Sequence, residues 1–206
     1  MRAIFFDFDG VLTVDKYGSD SILRYLAEHT PVPAEILQRE YYKINKGLLL
    51  GQYTHKDIWD VYCERVGFKI DYGILLDSFR NTPLDDEMLS LVGELKRVCR
   101  IGMITDNKVD RIKEILSYRK LSHLFDAVTI SAELKCGKTD RKIFEAALEA
   151  LDVAPAESLF IDNSQKNLVV PAEMGMHTIL FDDEKRNVPE LKVHLMELLE
   201  NNGGAL

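Results

Sequence analysis

Apolar and polar positions along this chain follow two periods. Ala3, Ile4, Phe5 and Phe6 form an unbroken apolar run, and four more runs follow: RIGMIT (Arg100 to Thr105), DAVTIS (Asp126 to Ser131), SLFID (Ser158 to Asp162) and HTILF (His177 to Phe181). Short runs of this kind predict strands covered on both faces, as in the middle of a parallel sheet. Between them, apolar residues recur at helical spacing over Val109 to Tyr118, Asp140 to Leu151, Lys166 to Met174 and Val188 to Glu200. Strands alternating with helices imply βαβ units, so the expected class is α/β: a Rossmann-like, doubly wound parallel sheet. Thr139 is the expected N-cap of one helix and Gly175 the stop of another. Pro171 should kink or shorten the helix that contains it, because it removes a hydrogen bond.

The alternation breaks between about Val14 and Asp86. Only helical patterns occur there, near Ser21–His29, Ala34–Lys46, His55–Val66 and Asp71–Phe79, with Thr54 and Asp57 spaced as a capping box. This block reads as an inserted all-helical cap, residues 14–85, on a core made of residues 1–13 and 86–206. Hinges are expected near Val14–Tyr17 and Asn81–Asp85. Sites in open α/β sheets lie at the carboxyl ends of strands, so an insertion leaving after the first strand would cover the site as a lid.

Composition narrows the function. The chain has 206 residues, which suits one domain with an insertion and a sizeable core. A formal net charge of −8 argues against nonspecific binding to nucleic acid or anionic membranes. Cys63, Cys99 and Cys136 lack metal-ligand spacing and suit a reducing, cytoplasmic setting. Neither a signal peptide nor a membrane-spanning apolar run is expected, and the terminal NNGGAL should fray.

The chemistry lies at the strand ends. Asp7 and Asp9 follow the first apolar run, and Gly10 permits the turn out of the sheet. Burying carboxylates there is costly unless a cation pairs with them. Thr105, Asp106 and Asn107 end the second strand, Asp162 and Asn163 the fourth, and Lys138 precedes a helix after the third. Parallel strands would bring these groups to one edge. Carboxylates with water suit Mg²⁺, and a lysine and hydroxyl near a cation suit a phosphate, so the residues point to Mg²⁺-assisted phosphoryl transfer.

These stretches also resemble a known family. DFDGVLT resembles the first motif of the haloacid dehalogenase-like (HAD) hydrolases, ITDN the second, the lysine of CGKTDRKIF the third, and FIDNSQKN the acidic fourth. They occur in the family's order, and the helical insertion matches the cap found between motifs one and two. The resemblance implies a phosphatase for a small phosphorylated metabolite. Asp7 is then the nucleophile that forms an aspartyl-phosphate, and Asp9 the general acid and base. Thr105, the main-chain N–H of Asp106, and Lys138 hold the phosphoryl group. Mg²⁺ is expected at Asp7, the Asp9 carbonyl, Asp162 and Asn163. Asn163 departs from the usual aspartate and would bring no formal charge; Thr139 stands where a proline is usual. Asp9 disfavours a dehalogenase, whose relatives lack it. A sugar phosphomutase and a non-catalytic binding protein are the alternatives, as monomer or homodimer.

Other residues carry weaker signals. The five histidines suggest no site, and Trp59, Tyr41, Tyr42 and Tyr62 read as cap core. Lys43, Lys46 and Gln52 lie near KGLLLGQ, a candidate loop over the site. Asp182, Asp183 and the run EKR read as a solvated loop.

Overall fold

All five apolar runs become strands of one sheet in the computed structural model: β1 (Ala3–Phe6), β2 (Arg100–Thr105), β3 (Ala127–Ile130), β4 (Ser158–Asp162) and β5 (His177–Leu180). The structure describes residues 1–201, so the tail expected to fray lies outside the described residues from 202 onward. Every strand pair is parallel, in the order β3-β2-β1-β4-β5. β1 is therefore central, at the point where strand order reverses, which is where open α/β sheets place their crevice. Phe6 pairs with Met103 on one side and Ile161 on the other, so Asp7, Thr105 and Asp162 leave the sheet at one edge.

Side-chain alternation along β1 feeds two cores. Ile4 and Phe6 join Met103, Ile112, Ile115, Leu191 and Leu195 on one face. Ala3 and Phe5 join Ile104, Ile143, Phe144 and Phe160 on the other. The helices on these faces include α5 (Asp86–Leu95), α6 (Val109–Tyr118), α8 (Arg141–Ala150) and α10 (Val188–Asn201). The one-turn α7 (Ser131–Leu134) follows β3 directly and has no counterpart in the sequence reading. Asp140, rather than Thr139, caps α8: its carboxylate accepts from the N–H of Lys142 at 3.0 Å. A carboxylate serves both the free N–H groups and the helix dipole there. Around Pro171 the expected helix shortens to a 3₁₀ turn, Gln165–Leu168, followed by α9 (Val169–Glu173). Pro171 occupies the first turn of α9, where its missing N–H breaks no bond.

Between β1 and α5 lie α1 (Gly18–His29), α2 (Ala34–Leu49), α3 (His55–Val66) and α4 (Tyr72–Arg80). They pack around Ile22, Leu26, Leu37, Tyr41, Tyr62, Leu75 and Phe79, all buried. Trp59 belongs to this core, but Tyr42 is exposed. The Thr54–Asp57 capping box forms at the start of α3 as its spacing predicts. Where the chain leaves and returns, Thr13 bridges Leu84 and the N–H of Asp85 donates to the Leu12 carbonyl at 3.0 Å. Much of KGLLLGQ is the last turn of α2 rather than a loop. The exposed Lys43 pairs with the buried Glu40, and neither Lys46 nor Gln52 lines the cavity over the strand ends.

Candidate active site

Asp7, Lys138 and Asp162 meet at the carboxyl edge of the sheet. Lys138 Nζ lies 2.6 Å from Asp7 Oδ1 and 2.7 Å from Asp162 Oδ2, with all three side chains almost fully buried. The N–H of Phe8 also donates to Asp7 Oδ1, at 2.6 Å. Two carboxylates thus share one ammonium. Burial, only partly offset by Lys138, pushes the Asp7 carboxyl up to about 8. Burial alone would lower Lys138, but Asp7 and Asp162 outweigh it and hold the ammonium above its ordinary range. Asp162 also accepts from the N–H of Ser164 at 2.7 Å and from Asn167 Nδ2 at 3.1 Å, so both its oxygens are occupied. Asp106 Oδ1 accepts from the main-chain N–H of Lys138 at 3.0 Å, which anchors the loop that carries the lysine.

Asp9 faces a different cation. Arg111 on α6 places Nη1 2.9 Å from Asp9 Oδ2 and Nη2 2.9 Å from Oδ1, and Asn107 Nδ2 donates to Oδ2 at 2.7 Å. The same Asn107 amide donates to Thr105 Oγ1 at 3.3 Å, which ties the second strand end to the first. Gly18 closes over this fork: a Cβ there would collide with the guanidinium and with Asp9.

Asn163 sits beside Gly10, whose φ of +82° and lack of a Cβ let the two approach. Its Nδ2 donates to Asp183 Oδ2 at 2.9 Å. A carboxylate only accepts, so the amide nitrogen must face Asp183 and Oδ1 must face away. Lys16 pairs with the same carboxylate at 3.2 Å. Arg186 donates to the carbonyls of Gly10 and Val11 at 2.9 Å each and pairs with Asp85 at 2.6 Å. The segment expected to be solvated thus braces the loop after β1. Its charges look idle in sequence because their partners lie far along the chain.

These groups line a cavity of 590 Å³, which Lys16, Tyr17, Gly18, Ser19, Asn45 and Leu49 close on the helical side. Asp7, Asp9, Thr105, Asp106, Lys138 and Asn163 line it, whereas Asp162 lies behind them. Asp7 Oδ2, the main-chain carbonyl of Asp9 and Asn163 Oδ1 accept no hydrogen bond among the described residues. No cluster of three His, Cys, Asp or Glu side chains converges as a metal site among the described residues. The free donors are instead a carboxylate, a carbonyl and an amide. This all-oxygen set, beside carboxylates short of positive charge, fits Mg²⁺ with water completing its shell.

Sequence reasoning missed Arg111, Lys108 and Asn167, and placed Asn107 at the strand-end edge without naming its partners. A signal existed for the first two. Lys108, Arg111, Ile112 and Ile115 recur at the spacing of one helical face, and that face is apolar, so its cations had to be buried beside something anionic.

Comparison with known proteins agrees with this geometry. The family model described as haloacid dehalogenase-like hydrolase matches residues 1–175. The phosphoserine phosphatase of Thermus thermophilus is 31% identical over 121 residues, 55% of this chain and 49% of that enzyme. The glyceraldehyde 3-phosphate phosphatase of Methanothermobacter thermautotrophicus is 24% identical over 89% of this chain and 87% of its own length. The match spans under half the length of some curated relatives. A HAD-family enzyme from Bacteroides thetaiotaomicron, solved as a magnesium complex, shares the fold with a TM-score of 0.72 at 20% identity, over 87% of this chain and 92% of that one. Among the described residues no helix is long and apolar enough to cross a membrane. With its parallel sheet, its four ordered motifs and a family match over residues 1–175, this chain belongs to the haloacid dehalogenase-like hydrolases.

Proposed function

We propose that the chain is a Mg²⁺-dependent phosphatase for a small phosphorylated metabolite of the cytosol. The observation that carries the reading is Asp7: a buried carboxylate 2.6 Å from Lys138, with its second oxygen unengaged among the described residues, on the wall of a 590 Å³ cavity. Phosphatases among the relatives support it, as does the magnesium complex of a structural neighbour.

Asp7 attacks phosphorus and forms an aspartyl-phosphate as the alcohol leaves. Like charges oppose that attack, and Lys138 offsets them. The hydroxyl of Thr105 and the main-chain N–H of Asp106 hold phosphoryl oxygens. Asp9 gives a proton to the departing oxygen, then takes one from the water that cleaves the acyl phosphate. Asp9 Oδ1 accepts only from Arg111 Nη2 among the described residues, so its second lone pair can carry that proton while the fork holds the carboxyl in place. Residues 14–85 act as the cap, excluding water while the first bond breaks. Asp7, the Asp9 carbonyl and Asn163 would hold Mg²⁺, with Asp162 orienting Lys138. The ion would supply positive charge that offsets the repulsion of carboxylate and phosphate.

The test is phosphate release from a panel of phosphorylated metabolites, with Mg²⁺ and with EDTA, for wild type and Asp7→Asn. Release that needs Mg²⁺ and disappears in Asp7→Asn is expected. No release from any compound by folded protein in millimolar Mg²⁺ would overturn the reading in favour of a non-catalytic relative.

A further inference from the structure

Three lysines line the cavity, and among the described residues Lys138 and Lys16 have ion-pair partners whereas Lys108 has none. Lys138 Nζ sits between Asp7 and Asp162 at the sheet end, 5.6 Å from the ring of Phe160. Lys108 is 4% exposed, yet its Nζ makes no ion pair and no hydrogen bond among the described residues. It lies 5.8 Å from the ring of Tyr41 on α2, at the helical end of the cavity. Asp9, Asp110 and Asp20 act on it only through space, and the neighbouring Arg111 is committed to Asp9. Lys16 cannot serve the same end, because it is half-exposed and paired with Asp183.

A buried cation without a partner is costly to keep, and one that lines a cavity is matched by what the cavity binds. An independent group points the same way. Asn45 lies four residues after Tyr41, on the same face of α2, and lines the cavity. Its Oδ1 is buried without a donor among the described residues. The wall of one cavity therefore carries both a cation without an anion and an acceptor without a donor among the described residues.

Resting on the phosphatase reading of this cavity, we propose that Lys108 and Asn45 form a second anion subsite in the cap wall. The substrate is then a phosphorylated metabolite with a second anionic group, a carboxylate or a second phosphate, next to a hydroxyl or N–H. Lys138 marks the end where the transferred phosphoryl group sits, and Lys108 the end that selects the rest of the molecule.

Non-hydrolysable phosphonates test this without turnover. Calorimetry in Mg²⁺ would compare propylphosphonate, 3-phosphonopropionate and propane-1,3-diphosphonate on wild type, Lys108→Met and Lys108→Arg. Wild type should bind at least one of the two doubly anionic probes about tenfold or more tighter than propylphosphonate, the order expected of a charged hydrogen bond. The probe preferred distinguishes a carboxylate from a phosphate. In Lys108→Met the ratio should collapse towards one, and Lys108→Arg should restore most of it, which separates loss of charge from a folding defect. Equal binding of all three by wild type, or a preference that survives Lys108→Met, overturns the subsite while propylphosphonate binding leaves the phosphatase reading intact. Failure of all three to bind overturns both.

Discussion

Arg111 is wholly buried, and its guanidinium grips both oxygens of Asp9 at 2.9 Å. A fork of this kind fixes the plane of a carboxylate as well as its position. Lysine offers a point charge and cannot reproduce the fork. Arg111→Lys should therefore lower kcat on p-nitrophenyl phosphate by about 10- to 100-fold, the order of loss for a misplaced catalytic group, with a much smaller change in KM. Steady-state kinetics checks this; an equal rise in KM with kcat unchanged would mean that Arg111 binds substrate instead. Neither the fork nor its role was legible in the sequence. Asp9 and Arg111 lie 102 residues apart, and helical periodicity names a buried face without naming what it meets. Asp7, by contrast, was legible, because an apolar run ending in a carboxylate has few physical explanations.

Helices α3 and α6 are clasped across the boundary between the inserted helices and the sheet. Tyr41 Oη donates to His55 Nε2 at 2.8 Å, and His55 Nδ1 donates to Asp110 at 2.9 Å. Asp110 also accepts from the His55 main-chain N–H at 3.0 Å. Asp110 can only accept, which fixes the histidine tautomer. Burial outweighs Asp110 and lowers the His55 pKa from its ordinary value of 6.5, so the folded ring stays neutral. The unfolded chain then binds more protons than the folded one once pH falls below that value, so stability is full above it and declines below it. Wild type minus His55→Gln should give a stability difference that is flat above neutral pH and shrinks below 6.5, by at most about 1.4 kcal/mol per pH unit. Thermal melts across pH measure it; a difference that grows on acidification would mean that His55 is protonated in the fold. His55 suggested no site in the sequence because its partners are contributed by α2 and α6.

Across the whole molecule, carboxylates crowd the strand ends with too few cations at the sheet. A divalent cation at Asp7, the Asp9 carbonyl and Asn163 would relieve that crowding. Millimolar Mg²⁺ should raise Tm, by the equivalent of about 2.7 kcal/mol once its concentration reaches 100 times Kd, and EDTA should reverse the shift. Asn163→Asp adds a formal charge to the donor set and should tighten Mg²⁺ binding, by about tenfold, as added ligand charge does for hard cations. Calorimetry of metal binding separates this from activity. An Asn163→Asp variant that binds Mg²⁺ no better would remove Asn163 from the ligand set.

The five strands, the longer helices between them, the parallel sheet and the edge that carries Asp7, Asp9, Thr105, Lys138 and Asp162 follow from the sequence, because periodicity and strand-end chemistry are local; the one-turn α7 does not. Tertiary structure decided which carboxylate meets which cation. It gave Lys138 to Asp7 and Asp162, Arg111 to Asp9, and left Lys108 facing the cavity with no carboxylate in ion-pair reach among the described residues. It also turned Asp183 and Arg186 from a solvated loop into braces for Asn163 and the turn after β1. Those pairings span long stretches of chain. Charge acts through space, and only the fold sets the distances.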